Sequence, residues 1–279
     1  MGVRTLVRLK ARGDAAYQND YHHKLRGWIW SALRGTDYDS YHDSDELLPL
    51  SYSNPFPPRD MDEGDTRHLI FASPDRELLN ILAARLDDSA ELNIGEMPFT
   101  VEDITALDPD VGEPGTTGTI STGTAVVVPM SEEDLERHEL SRPTGHEDSD
   151  TDVFWRPKHT VGVFFDEIRQ NLQFKHDQFM PEYLTGPDER EDDVPLFDGY
   201  YLVRTPAVEA NVTADERRTF ITSQWVFRYT VQDDLHRKHL NHMLDVGIGA
   251  RTNLGFGFVN LDEDDGNMER SFNSVGGAL

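Results

Sequence analysis

The chain has 279 residues, with 52 acidic against 26 basic side chains, a formal net charge of −26 and no cysteine. That length suits one large domain or two of ordinary size, and the missing cysteines exclude a disulfide framework and a thiolate metal centre. Acid spread along the whole chain, with Lys10, Lys24, Lys158, Lys175 and Lys238 as the only lysines, points to a surface kept hydrated in molar salt, where charges are screened over ~3 Å.

VRTLVRLKA opens as a strand, with Val3, Thr5, Val7 and Leu9 on an apolar face and Arg4, Leu6, Arg8 and Lys10 on the other. A helix is expected over about 18–34, carrying Tyr17, Tyr21, Leu25, Trp28 and Ala32 at helical spacing, with Gly35 at its end. LLPLSYSNPF and RHLIFASP read as strands. Ser73 and Pro74 then read as the N-cap and first turn of a second helix bearing Leu78, Leu82 and Leu86. MPFTVEDITAL closes this half as a strand, and the order β-α-β-β-α-β is that of a ferredoxin-like unit. The breaker DPDVGEPGTTGT, about 108–119, separates it from a second pass. ISTGTAVVVPM reads as strand, and the polar run SEEDLERHELSRPTGHEDSDTD reads as an exposed insertion. VGVFFDEIRQNLQF reads as a helix, GYYLVRTPAVEANV and RTFITSQWVFRYTV as a hairpin, DDLHRKHLNHMLDV as a helix and FGFVNL as the last strand. The fold class expected is α+β, two tandem ferredoxin-like (RRM-like) domains at 1–110 and 120–279, joined by a linker at 111–119. An acidic insertion at 131–152 and a glycine-rich loop at 247–257 belong to the second. No apolar run approaches the ~20 residues of a membrane span, and no signal-peptide stretch opens the chain. A soluble, cytoplasmic protein is expected.

DVGIGARTNLGFGFVN, residues 245–260, carries Gly247, Gly249, Gly255 and Gly257 as two Gly-x-Gly pairs. A dinucleotide fingerprint needs Gly-x-Gly-x-x-Gly after a strand and before a helix, whereas here the helix comes first. A P-loop needs Gly-Lys-Ser/Thr, which is absent. Two readings remain: a backbone cradle for a polynucleotide phosphate, with Arg251 and Asn253 as donors at its tip, or a turn that lets helix and strand pack closely. His42, flanked by Ser40, Tyr41 and Ser44, has the side-chain type suited to acid–base work near neutrality. His22 and His23 read as helix-surface or RNA-contact groups. His236, His239 and His242 fall at successive i+3 steps without the His-Glu-x-x-His pattern of a zinc site, so they read as a solvated helix face. Trp155, Arg156 and Lys158 in FWRPKHT combine ring and cations as single-stranded RNA contacts require, with a plain pre-helix loop as the alternative.

Several of these segments together resemble the Cas6 family of CRISPR-associated endoribonucleases, which cut precursor guide RNA within its repeats. They are the opening strand, YQNDYHHKLRGWIWSAL, SYHD, TGTAVVV, VFFDEIRQNLQFK and GIGARTNLGFGFV. The resemblance spans nearly the whole chain, and the terminal glycine loop is its most specific element. It implies paired ferredoxin-like folds and cleavage without metal or other cofactor, by attack of a 2′-hydroxyl on the adjacent phosphate. The products would be a 2′,3′-cyclic phosphate and a 5′-hydroxyl. It maps general acid–base work to His42 and RNA binding to the glycine loop. An assisting tyrosine could be Tyr21, Tyr38 or Tyr41, and Ser40 offers a further hydroxyl. An expected lysine has no counterpart between Lys24 and Lys158, which leaves an arginine such as Arg34. The implied partners are CRISPR repeat RNA, as precursor and as mature crRNA, and Cascade-type effector subunits, with neither membrane nor DNA bound directly. A non-catalytic RNA-binding subunit of the same superfamily and a metal-dependent hydrolase built on HRKHLNH are the rivals. Because lysine–phosphate pairing weakens steeply with salt, such a protein should rely on stacking, backbone donors and arginine.

Overall fold

A computed structural model describes residues 3–18, 21–42, 44, 46–140, 153–180, 185–190, 194–211, 216–262 and 273–274. The first half runs β1 (Val3–Ala11), α1 (Tyr21–Leu33), β2 (Ser51–Tyr52), β3 (Thr66–Ser73), α2 (Arg76–Ser89), β4 (Glu91–Ile94) and β5 (Met97–Leu107). Its sheet is antiparallel in the order β2-β3-β1-β5-β4, the ferredoxin-like arrangement with one added edge strand. Val7 and Leu9 of β1 bury against Leu25 and Ile29 of α1 and Leu78, Leu82 and Leu86 of α2. β2 is short because Pro49, Pro55, Pro57 and Pro58 crowd its segment and proline has no N–H to give a ladder. The start of α2 differs from expectation. Asp75 is its N-cap, accepting from the N–H groups of Glu77 and Leu78. Ser73 remains at the end of β3, where its hydroxyl donates to the Pro49 carbonyl.

The second half runs β6 (Thr117–Thr122), β7 (Val126–Val127), β8 (Pro129–Met130), α3 (Glu132–Arg137), β9 (Val153–Phe154) and α4 (Val161–Phe179). It continues with β10 (Gly199–Arg204), β11 (Ala207–Asn211), β12 (Arg217–Thr230), α5 (Asp234–Val246), β13 (Val259–Asp262) and β14 (Asn273–Ser274). The sheet order β13-β6-β12-β10-β14 repeats the ferredoxin-like pattern, so the chain is two such folds in tandem. Both β10 and β11 pair with the long β12, as the expected hairpin requires. Trp155, Phe164, Phe197, Trp225 and Phe227 form the aromatic centre of this core. Part of the polar insertion is structured: Ser131 and Asp134 close a capping box on α3, and Leu135 is buried beneath it. Residues 141–152 of that insertion lie outside the described residues. No described helix is long and apolar enough to cross a membrane.

Cover on a second face explains two departures from the sequence pattern. Arg4, on the face of β1 expected to be outward, is only 1% exposed. Its guanidinium donates to the Leu244 carbonyl (2.5 Å), the Val259 carbonyl (2.8 Å) and Asn260 Oδ1 (2.6 Å), and lies 5.0 Å from the Phe258 ring centre. The outer face of the first sheet is thus covered here by the second half, and strict alternation returns only beyond Val7. Arg8 and Lys10 are exposed and pair with Glu102. The histidine face of α5 is covered too, by α4 and the segments around Thr185 and Leu196. His236, His239 and His242 were expected on a solvated face, yet all three are buried. His236 Nδ1 accepts from the Gln232 N–H while Nε2 donates to the Leu196 carbonyl, and His239 bonds the Thr185 carbonyl. Desolvation lowers His239 to about 4 and His242 to about 3, so the rings sit neutral.

Candidate functional site: a groove between the halves

The glycine loop follows α5 and leads into β13. Gly247, Gly249, Gly255 and Gly257 all have positive φ, and so does Arg251, at 64°. Two of them show why no side chain fits. A Cβ on Gly249 would stand 2.6 Å from the Val127 carbonyl oxygen, and one on Gly257 would overlap the Ile248 carbonyl. The loop is pinned by its own backbone: Ile248 N–H donates to Gly257 O, Ala250 N–H to Val127 O and Gly257 N–H to Ala125 O. It is also held from the first half. His22 Nδ1 lies 2.9 Å from the Leu254 carbonyl, and its ring stacks between Tyr21 and Phe256. The Tyr52 hydroxyl donates to the Asn253 carbonyl, and the Ser51 hydroxyl to that of Asp245. His22 is therefore a buried seam residue and not an RNA contact. The close-packing reading holds for all four glycines. The face turned outward is formed by Gly249, Ala250, Arg251, Thr252 and Asn253.

Beneath the loop lies a side chain that the sequence pattern did not single out. Lys175, on α4 and 2% exposed, donates to the carbonyls of Val246 (3.3 Å), Gly247 (3.1 Å) and Gly249 (3.0 Å). Three acceptors match the three hydrogens of an ammonium. Burial pulls this lysine down to about 7. The cations among the described lining residues are Arg26, Lys175 and Arg251, of which Lys175 is tied to the loop carbonyls. Arg34 is exposed and away from the groove.

The turn after α1 carries the histidine. A single 3-10 turn, Asp39–His42, exposes the imidazole, whose ring meets Trp30 edge-on with centroids 5.2 Å apart. His42, Tyr41, Trp30 and Arg26 from the first half border the same groove, of about 510 Å3, as residues 249–253 of the loop. Phe154, Asn171, Phe174 and Lys175 form its remaining wall. Glu46 is the one carboxylate among the described lining residues, against Arg26, Lys175 and Arg251. In a chain of charge −26, that local balance favours a polyanion.

Other expected site residues lie elsewhere. The Tyr38 hydroxyl donates to Asp75 at 2.5 Å, and burial and that carboxylate raise its phenol above the ordinary value. Ser40 is exposed and outside the groove lining; Gly247, Gly255 and Gly257 are buried and also outside it. Trp155 is a core residue: its ring packs on Phe164 and Trp225 and its N–H donates to the Thr160 carbonyl. Arg156 is half-buried and Lys158 exposed, and neither reaches the groove. Trp30, Asn171 and Phe174, like Lys175, gave no sequence signal, because each is one polar or aromatic position in an otherwise ordinary amphipathic helix.

Comparison with known proteins matches residues 120–261 to the family described as CRISPR associated protein Cas6, C-terminal. The chain is 46% identical to the CRISPR-associated endoribonuclease Cas6 of Haloferax mediterranei, over 94% of both chains. It is 24% identical to the CRISPR-associated endoribonuclease Cas6 2 of Methanocaldococcus jannaschii, over 92% of this chain and 99% of that one. A solved structure of a CRISPR associated protein Cas6 has the same fold, with a TM-score of 0.66 at 14% identity, covering 94% of this chain and all of the other.

Proposed function

The chain belongs to the Cas6 family of CRISPR-associated endoribonucleases, and from that premise we infer how its groove works. It is an endoribonuclease that processes CRISPR repeat RNA. In the proposed arrangement one repeat phosphate sits between His42 and the outward face of the loop, Gly249 to Asn253. The observation that carries this reading is that both line one groove at the seam, although 200 residues separate them in the chain.

The reaction is transesterification. The 2′-oxygen attacks the adjacent phosphorus, the bond to the 5′-oxygen breaks, one proton leaves the 2′-hydroxyl and one reaches the 5′-oxygen. The products are a 2′,3′-cyclic phosphate and a 5′-hydroxyl. His42 takes or gives one of these protons, and the Tyr41 hydroxyl stands beside it on the same wall. Arg251 and Arg26 are the side-chain cations available to the charge developing on phosphorus. The 3-10 turn Thr252–Leu254 adds its opening N–H groups, which a helix leaves without an internal acceptor. No step in this scheme draws on a metal ion or a cofactor. General acid–base help is worth about 10²–10⁴-fold, so positioning of the RNA by the rigid loop must supply the rest. The cut RNA remains in the groove, and the chain hands it to Cascade-type effector subunits.

The test is incubation of a labelled repeat RNA with wild type and His42→Ala in high salt and chelator, followed by end-group analysis. Wild type should leave a 2′,3′-cyclic phosphate and a 5′-hydroxyl. His42→Ala should bind equally and cut about 10²–10⁴-fold more slowly. A 3′-hydroxyl with a 5′-phosphate, or unimpaired cutting by the variant, would overturn the assignment.

A further inference from the structure

α4 buries Phe164, Ile168 and Leu172 in the core of the second half. A different face of the same helix carries Glu167, Gln170, Asn171 and Phe174, spaced i, i+3, i+4 and i+7, which places them in one row. Asn171 and Phe174 border the groove of His42. Glu167, Gln170 and Asn171 border a second hollow of about 220 Å3, which shares Val127, Pro129, Asn171, Gly249 and Ala250 with the first. The row therefore forms one wall of a path running from His42 past the glycine loop.

Three properties of this wall are costly in a plain surface. Phe174 is 51% exposed, the most exposed large hydrophobic side chain among the described residues. The Asn171 Oδ1 is buried without a hydrogen-bond partner, a state that asks for an explanation in a native fold. The Glu167 carboxyl shares a hydrogen bond with Asp134, and burial together with that neighbour raises it to about 8. It thus holds its proton more firmly than an ordinary carboxyl, which lessens its repulsion of phosphates. The wall offers a bare ring, two amides and a carboxyl that holds its proton, with no cation among its four residues. Unpaired bases are recognised by such groups, through stacking on a ring and hydrogen bonds along the base edge.

We propose that this face of α4 is a nucleobase-reading wall. An unpaired base close to the cut phosphate stacks on Phe174, the Asn171 amide bonds its edge, and the strand continues along Gln170 toward Glu167. The proposal rests on the endoribonuclease reading of the groove, which supplies the strand. It also suits a protein working in high salt, because stacking survives where phosphate–lysine attraction is lost. Lys175, next to Phe174, ties α4 to the carbonyls of the loop, so wall and loop form one rigid surface.

The experiment measures binding and single-turnover cleavage of a repeat RNA by wild type, Phe174→Ala and Phe174→Trp. It uses the intact repeat and a series in which one nucleotide near the cut is made abasic. Phe174→Ala should weaken binding about ten-fold, by the same factor at low and high salt, with an unchanged melting temperature. Phe174→Trp should bind as wild type does. One abasic position should cost wild type the same factor and cost Phe174→Ala nothing more. Binding and cutting by Phe174→Ala at wild-type levels would overturn the wall while leaving the nuclease reading intact. So would losses that multiply at every abasic position. A wild type that binds without cutting would overturn the nuclease reading, and the binding arm would still decide the wall. A wild type that does neither would sink both.

Discussion

The loop at 247–257 and the turn at 39–42 border the same groove, yet they are held in opposite ways. The loop is gripped from below by Lys175, from one side by β7 and from the first half by His22 and Tyr52. The turn is exposed: its bonds are local, from Thr36 and Asp39 back to the end of α1, with Tyr38 anchored to Asp75. Its histidine is exposed and meets the Trp30 ring edge-on. Rigidity thus lies where we propose that the phosphate is positioned, and exposure where we propose that protons move. An oriented bed beside an exposed imidazole suits an enzyme in which placement supplies most of the rate.

Changes that break the rigid region should cost the most. Gly257→Ala would force an alanine to φ 69° against the Ile248 carbonyl, at about 3 kcal/mol or more of stability. Thermal melts should fall sharply, and the RNA affinity of any folded fraction should fall with them. A variant that melts and binds like wild type would show that the loop is not so constrained.

Lys175→Met should come next. It leaves the carbonyls of Val246, Gly247 and Gly249 without their shared donor, at roughly 1–3 kcal/mol for a buried acceptor left unpaired. Cleavage should fall while the His42 turn stays intact. If lysine serves only as a filler, methionine will restore full activity.

The smallest effect should be one of pH on stability. The folded values of His239 and His242, about 4 and about 3, lie below the 6.5 of a free histidine. As pH falls below 6.5 the unfolded chain takes up protons first, so stability is fully present above 6.5 and is lost progressively toward pH 3. Between pH 7 and 6 the loss from the two rings should be on the order of 1–2 kcal/mol, seen as a falling melting temperature. His242→Leu should flatten that fall. A melting temperature independent of pH in this window would contradict the neutral burial of these rings.

Much of this molecule was legible in its residues, for reasons that also explain the misses. Apolar spacing placed α1, α2, α4 and α5 to within a few residues, because each buries one continuous stripe. The doubled β-α-β-β-α-β order followed from that and from the breaker near 108–119. The grouping of His42 with the glycine loop came from resemblance, since nothing local links two segments so far apart. The misses share a cause: single-strand and single-helix patterns assume one buried face. Arg4 sits where the halves meet, and the three histidines of α5 face α4 and the segments around Thr185 and Leu196 within the second half, so all are buried on a second face. Trp155 adjoins Arg156 and Lys158, which suits either an RNA-stacking ring or a plain pre-helix loop, and it is a core ring, because neighbours in sequence share no face of the chain beside a core. Lys175 and Phe174 are adjacent on one helix, one wholly buried and one half exposed, a difference that only the packing around α4 creates.

The most direct test of the shared groove is site-specific photocrosslinking of a repeat RNA carrying 4-thiouridine at single positions around the cut, with the attached peptides mapped by mass spectrometry. One position, or two adjacent ones, should crosslink both to residues 249–253 and to the turn holding His42. Crosslinks to the loop and to the turn from nucleotides far apart in the repeat, or to neither, would contradict it.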